Sequence, residues 1–177
     1  MARVLANVLL APDALNVRQL ADRTRLSYSV VQREIDRLEK AGIVRSERFA
    51  QARVVHPDER HRLYPELRAM LLKTYGPEAV MGDLLGKIPG IEEAFLFGSW
   101  AARYAGDWGA APADLDVLVV GRPDPPAVEE AAAEAEDQLG FPVQTVIVES
   151  DTWKSKRSGF VRTVAERPLL PIELREP

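Results

Sequence analysis

The sequence predicts an α+β protein built from two modules, on three observations. The first 62 residues show the pattern of short helices followed by a hairpin, whereas residues 77–177 alternate apolar strands with helices. Residues 1–75 contain 14 Lys and Arg against 9 Asp and Glu, a net charge of +5, and residues 76–177 contain 9 against 18, a net charge of −9. A basic module joined to an acidic one indicates two parts with different partners, and the predicted boundaries are 1–62, 63–76 and 77–177.

Short helices are predicted within the first 45 residues. Each is marked by apolar residues without strand alternation or by a residue able to cap a helix end. Ser29-Val-Val-Gln32 has the form of a capping box, so the third helix can begin after either Ser27 or Ser29, and Gly42 supplies its C-terminal stop. The predicted helices cover residues 1–11, residues 17–23 with Asn16 as the cap, and the stretch from Ser27 or Ser29 to Ala41.

The third helix has an apolar face and a polar face, and a hairpin follows it. Val31, Ile35 and Leu38 recur at helical spacing and form a buried stripe. Long hydrogen-bond donors on the opposite face suit contact with base edges in a major groove. The hairpin pairs residues 43–47 with 53–56 around a turn near 49–51. The polar side chains of the helix are Ser29, Gln32, Arg33, Asp36, Arg37 and Lys40, and the basic ones of the hairpin are Arg45, Arg48 and Arg53.

This arrangement resembles a winged helix-turn-helix of the type common in bacterial regulators, over residues 1 to about 60. The resemblance implies that the third helix enters the major groove of double-stranded DNA and that the hairpin touches phosphate. A module for protein interaction or dimerisation is the alternative, because Glu34, Asp36 and Glu39 put acid on the same helix. Reading of palindromic DNA predicts a two-fold homodimer. The predicted DNA-binding residues are Ser29, Gln32, Arg33, Arg37, Arg45, Arg48 and Arg53.

A polar linker at residues 57–62 leads to a connecting helix over Leu63–Tyr75, which can pair with a second copy of the chain. Beyond it, Pro and Gly separate apolar strands from helices. Asp151 or Thr152 is a candidate cap for a short helix, and residues 169–174 form an apolar tail. The remaining predicted helices cover residues 78–87, 100–104, 126–139 and 160–166, and the predicted strands cover 94–97, 115–120 and 143–148.

The chemistry of the second module is predicted at the first two of these strands. Gly98-Ser99 opens a helix directly after the first strand, where free backbone N–H groups can meet a phosphate. Asp114 and Asp116 point to the same side of the next strand, about 7 Å apart along the backbone. Two like charges in an apolar run indicate a cation between them, and oxygen ligands suit Mg²⁺. Arg103, one helical turn after Ser99, can reach a phosphate oxygen.

Gly98-Ser99, a spacer, and Asp114-x-Asp116 together resemble the signature of the DNA polymerase β-type nucleotidyltransferase superfamily, over about residues 78–150. The resemblance implies a nucleotidyltransferase-fold α/β domain with a small mixed sheet, with Asp114 and Asp116 as catalytic ligands of Mg²⁺ or Mn²⁺ and with Gly98 and Ser99 on a nucleoside triphosphate. The superfamily's third carboxylate would lie on the next strand, where this sequence has Gln144. An amide cannot act as a base at neutral pH.

Three functional hypotheses follow. The first is a DNA-binding regulator whose second module binds Mg²⁺-nucleotide and transfers a nucleotidyl group. In one version of this hypothesis the regulator is antitoxin-like and has a toxin as its partner. The second is an enzyme that modifies a protein or small-molecule acceptor, and the third is a regulator with a catalytically inactive sensor domain. Gln144 favours the first and third. The lack of cysteine excludes zinc-thiolate sites and fits a cytoplasmic location, and no apolar run is long enough for a membrane span.

Overall fold

The computed structural model describes residues 2–11, 13–106 and 112–175. The chain divides into two compact units, Met1–Gly76 and Pro77–Pro177. Both units combine helices with a small sheet, so the predicted α+β class is confirmed.

The first unit packs its helices on a small antiparallel sheet of strand order β1-β3-β2. Its core is apolar, and Val4, Leu20, Val31 and Ile35 are fully buried. The stripe predicted for the third helix is therefore the face that packs inward. The elements are α1 (Ala2–Leu10), β1 (Leu15–Asn16), α2 (Val17–Thr24), α3 (Tyr28–Lys40), β2 (Val44–Phe49), β3 (Ala52–Pro57) and α4 (Tyr64–Tyr75).

The helix ends of this unit follow local hydrogen bonding. Asn16 caps α2 in a reciprocal capping box, because its Oδ1 accepts from Gln19 N at 2.9 Å and Gln19 Oε1 accepts from Asn16 N at 2.8 Å. The capping box predicted at Ser29-Val-Val-Gln32 is wrong. The other predicted start is confirmed: Ser27 is the N-cap and α3 begins at Tyr28, two residues before the start that a cap at Ser29 would give. Ser29 therefore lies in the first turn, with its Oγ 3.3 Å from the Oγ of Ser27. Strand β1 was not predicted, since two residues are too short to show alternation.

The second unit is a mixed sheet with helices between its strands. Its strand order is β6-β5-β4-β7, with β5 and β6 parallel and β4 antiparallel to both β5 and β7. A parallel pair needs a crossover, which α7 supplies. The elements are α5 (Pro77–Leu85), β4 (Ile91–Phe97), α6 (Gly98–Tyr104), β5 (Leu115–Gly121), α7 (Pro125–Leu139), β6 (Val143–Val148), α8 (Ser150–Ser155), α9 (Gly159–Ala165) and β7 (Leu170–Pro171).

Strand β5 is the centre of this unit. Residues 117–120 are fully buried whichever face they point to, which explains why the strand is a continuous apolar run. On one face, Leu118 and Val120 pack with Val161 and Val164 of α9. The acidic pair lies at the start of this strand, so a rigid element positions it.

Two predictions for this unit are corrected by the structure. The residue that caps α8 is Glu149, not Asp151 or Thr152, which both lie inside the helix. The apolar tail contains strand β7, whose Leu170 pairs with Leu96 of β4. Pro171 fits there because β7 is an edge strand, where the N–H that a proline lacks can face away from the sheet. None of the helices in the described ranges is both long and apolar enough to span a membrane.

Candidate functional site

Helix α3 presents its predicted polar residues outward. Ser29, Gln32, Arg33 and Arg37 are all exposed, on the side away from the buried stripe. The Arg37 guanidinium forms an ion pair with Glu34 Oε1 at 3.2 Å, one turn back on the helix. The first unit therefore offers an exposed helix face of the kind that a DNA groove accepts.

The β2–β3 hairpin places its arginines on different faces. Arg48 lies directly opposite Arg53 in the ladder, so their side chains share a face, whereas Arg45 points to the other one. Arg45 and Arg48 are exposed. Phe49, 76% exposed, stands at the tip beside Ala50, whose φ of +54° makes the turn. The tip is thus basic and apolar at once.

Arg53 differs from the other two because its side chain is engaged within the unit. Its Nη1 donates to Asp36 Oδ1 at 2.6 Å and its Nη2 donates to Glu39 Oε2 at 2.7 Å. These pairs raise the pKa of the Arg53 guanidinium against the lowering effect of burial. The DNA contact assigned to Arg53 stays a prediction, and the pairing with two carboxylates is a contact that the sequence did not reveal.

In the second unit, β4, β5 and β6 bring the predicted acidic site together. Asp116 in β5 lies beside Phe97 of β4 on one side and beside Gln144 of β6 on the other. Asp114 directly precedes β5, and its Oδ2 accepts a hydrogen bond of 3.0 Å from Gln144 Nε2. Gln144 is thus the residue of β6 that faces the acidic pair, at the position expected for a third carboxylate.

Gly98 lies against the carboxylate of Asp116. Its φ is +66°, and a Cβ built there would collide with Asp116 Oδ2, so a glycine is required at this position on both counts. Burial raises the pKa of the Asp116 carboxyl, and the negative charge of Asp114 raises it further. The charge of Asp114 therefore disfavours the ionised form of Asp116, an effect that a cation between the two carboxylates would reverse.

The other predicted ligands lie on α6. Ser99 is exposed, directly after Gly98. The guanidinium of Arg103 lies 5.9 Å from the centre of the Trp100 ring, which in turn stacks on Phe141 at 5.4 Å. Contact of Ser99 or Arg103 with phosphate stays a prediction. Glu149, the residue that caps α8, pairs with Arg122 at 3.3 Å.

The described residues contain no group of three or more His, Cys, Asp or Glu side chains placed to hold a metal. One or two carboxylates together with water and substrate phosphate are the usual ligands of Mg²⁺ in proteins, and the acidic pair is of that kind.

The fold and exposed face of the first unit resemble those of winged-helix DNA-binding domains. Residues 2–53 match the model of the MarR family, so this part of the chain is similar to DNA-binding transcriptional regulators that commonly dimerise. The match confirms the predicted winged helix and ends before the second unit. No curated protein and no solved structure matched the chain in the other two comparisons.

Proposed function

We propose that the protein is a DNA-binding transcriptional regulator whose second unit senses a nucleoside triphosphate bound with Mg²⁺ or Mn²⁺. The first half of the proposal follows from the family match and the exposed face of α3. The second half rests on one observation: Gly98 packs against Asp116 while Gln144 holds Asp114. Those contacts involve Gly98, Asp114 and Asp116 of the nucleotidyltransferase-like signature, which lie where β4 ends and β5 begins.

The donor set suits one divalent cation. Asp114 and Asp116 supply carboxylate oxygens at the start of one rigid strand, and hard cations such as Mg²⁺ prefer oxygen. A bound cation would neutralise the two carboxylates and supply a positive charge for a triphosphate. Gly98 leaves space for the Asp116 carboxylate and lets a ligand approach the backbone closely.

Binding is favoured over nucleotidyl transfer by the hydrogen bond from Gln144. Its Nε2 donates to Asp114 Oδ2, so an amide N–H occupies the side of the site where a carboxylate would support a second cation. An amide also cannot take a proton from an acceptor hydroxyl. A sensor domain is therefore the preferred form of the proposal, and an enzyme that acts on a protein or small molecule is the alternative.

The DNA-binding half is tested by fluorescence anisotropy with DNA taken from upstream of the protein's own coding sequence. We expect binding that weakens steeply with salt, because Lys and Arg contacts release counterions from phosphate. Replacing both Arg33 and Arg37 with Ala should lower the affinity at least about tenfold. Lys73→Ala, an exposed charge on α4, is the control and should change little. Binding that is equally strong in the double variant would contradict this assignment of α3.

The nucleotide half is tested by titration with Mn²⁺ and a non-hydrolysable triphosphate, read by electron paramagnetic resonance. We expect a single Mn²⁺ per chain in the wild type and none in Asp116→Asn. Gln144→Asp should add a second Mn²⁺ and allow transfer of labelled nucleotide. Wild-type protein that leaves millimolar Mn²⁺ free with and without the triphosphate would rule out the proposed site.

A further inference from the structure

The acidic residues of α3 conflict at first sight with DNA binding. Helix α3 lies wholly within the described residues, and its Glu34, Asp36 and Glu39 share the helix with Arg33, Arg37 and Lys40. Unpaired carboxylates on a helix that enters a groove would repel phosphate. The structure resolves the conflict by ion pairing: Glu34 is paired within the helix, whereas Asp36 and Glu39 are paired by Arg53 from the hairpin.

Arg53 makes these contacts through three separate nitrogens. Its Nε donates to Ser46 Oγ at 2.9 Å, its Nη1 to Asp36 and its Nη2 to Glu39. Glu39 also accepts from Ser46 N at 2.9 Å and from Ser46 Oγ at 2.7 Å. These contacts link both strands of the hairpin to α3. We call the four residues that make them the hairpin brace: Asp36, Glu39, Ser46 and Arg53. A planar guanidinium suits such a site because its donors form a fixed fork.

We propose that Arg53 is a positioning residue, which holds the β2–β3 hairpin at one angle to α3 and neutralises Asp36 and Glu39 rather than binding phosphate itself. The inference rests on the proposed DNA binding. The Arg53 side chain is 21% exposed, and its donors already point to protein oxygens. A phosphate contact would require it to release two carboxylates on the face that meets DNA. Arg48 lies opposite Arg53 in the ladder and is exposed. The phosphate contact of the hairpin is therefore assigned to Arg48.

The sharpest test removes an acid rather than the arginine. Glu39→Gln makes the protein less negative, so electrostatics alone predicts tighter DNA binding. The hairpin brace predicts the opposite, because the amide turns an N–H or an uncharged oxygen towards Arg53 and the hairpin loses its fixed angle. We expect the affinity for DNA to fall about three- to tenfold. Glu47→Gln is the matched control, since Glu47 lies on the other face of the hairpin, where its carboxylate pairs with His56 of β3 at 3.0 Å. This change should strengthen binding about twofold.

A second readout needs no DNA. In the free protein, the Ser46 amide should exchange its hydrogen at least about tenfold faster in Glu39→Gln and in Arg53→Gln than in the wild type or in Glu47→Gln. Tighter DNA binding by Glu39→Gln, or unchanged exchange at Ser46 in both brace variants, would overturn the proposal. If the wild type binds no DNA, the proposed function fails, and the exchange rates still decide whether Arg53 holds the hairpin on α3.

Discussion

Replacing Gly98 with Ala is expected to disrupt the candidate metal site through one methyl group. A left-handed backbone costs a non-glycine residue about 1 kcal/mol or slightly more. The new Cβ also collides with Asp116 Oδ2, so the carboxylate must move within a packed site, which adds about 1–3 kcal/mol. The sum of about 2–4 kcal/mol should lower the melting temperature of a unit of about 100 residues by roughly 10–20 °C.

Tryptophan fluorescence can follow this unit alone, because Trp100, Trp108 and Trp153 are the protein's only tryptophans and all lie in Pro77–Pro177. Gly42→Ala is the control for backbone strain: its φ is +71°, but the added Cβ would make only an ordinary contact of 3.7 Å with His61. We expect Gly42→Ala to lower the free energy of unfolding by about 1 kcal/mol, measured by calorimetry.

The decisive measurement is Mn²⁺ binding at a temperature where the Gly98→Ala variant is still folded. We expect this binding to be lost, since the carboxylate of Asp116 no longer occupies its position. The argument that Gly98 makes room for a ligating Asp116 would be refuted if Gly98→Ala lowered the free energy of unfolding only as much as Gly42→Ala does and still bound Mn²⁺ like the wild type.

Further predictions concern charge, pH and packing. Burial and then the charge of Asp114 raise the pKa of Asp116, so the folded state loses stability as pH rises through that pKa. At pH 7 without metal, Asp116→Asn should therefore increase the free energy of unfolding by about 0.5 kcal/mol, measured by thermal unfolding. The hydrogen bond from Ser46 is the main interaction that lowers the pKa of Glu39 below its ordinary 4.5. The Glu39 carboxylate therefore stabilises the fold above that pH, and this stabilisation is lost as pH falls. Glu39→Gln should make the free energy of unfolding, measured by urea titration and circular dichroism, less dependent on pH in the acid range. Leu118→Ala, at a fully buried position, should cost about 3 kcal/mol in urea unfolding followed by tryptophan fluorescence.

The elements with strong periodicity or clear caps could be predicted from sequence. The stripe of α3 and the buried strand β5 were found because apolar spacing reports directly on burial. Strands β1 and β7 were missed because each has two residues and depends on a distant partner strand. The start of α3 was ambiguous, since both Ser27 and Ser29 carry hydroxyls able to cap; the N-cap is Ser27, whose side chain makes no capping hydrogen bond.

The candidate sites divide in the same way. The acidic pair and its relation to Gln144 could be predicted, because adjacent strands align residues in a simple register. The pairing of Arg53 with Asp36 and Glu39 could not, since nothing in the sequence fixes the angle between hairpin and helix. Two acids three residues apart on α3, with a hairpin arginine following, is the only signal that could have suggested it.

The segment after β7 has a consequence for synthesis of the protein. Ile172 N donates to Ala94 O, Arg175 N donates to Gly82 O, and the Arg175 guanidinium pairs with Asp83 at 3.1 Å. These contacts join residues about 80–90 positions apart, so they form only after nearly the whole unit has left the ribosome. Until then, the outer backbone edge of β4 stays uncovered, and we expect nascent chains stalled before residue 170 to be recognised by chaperones or proteases.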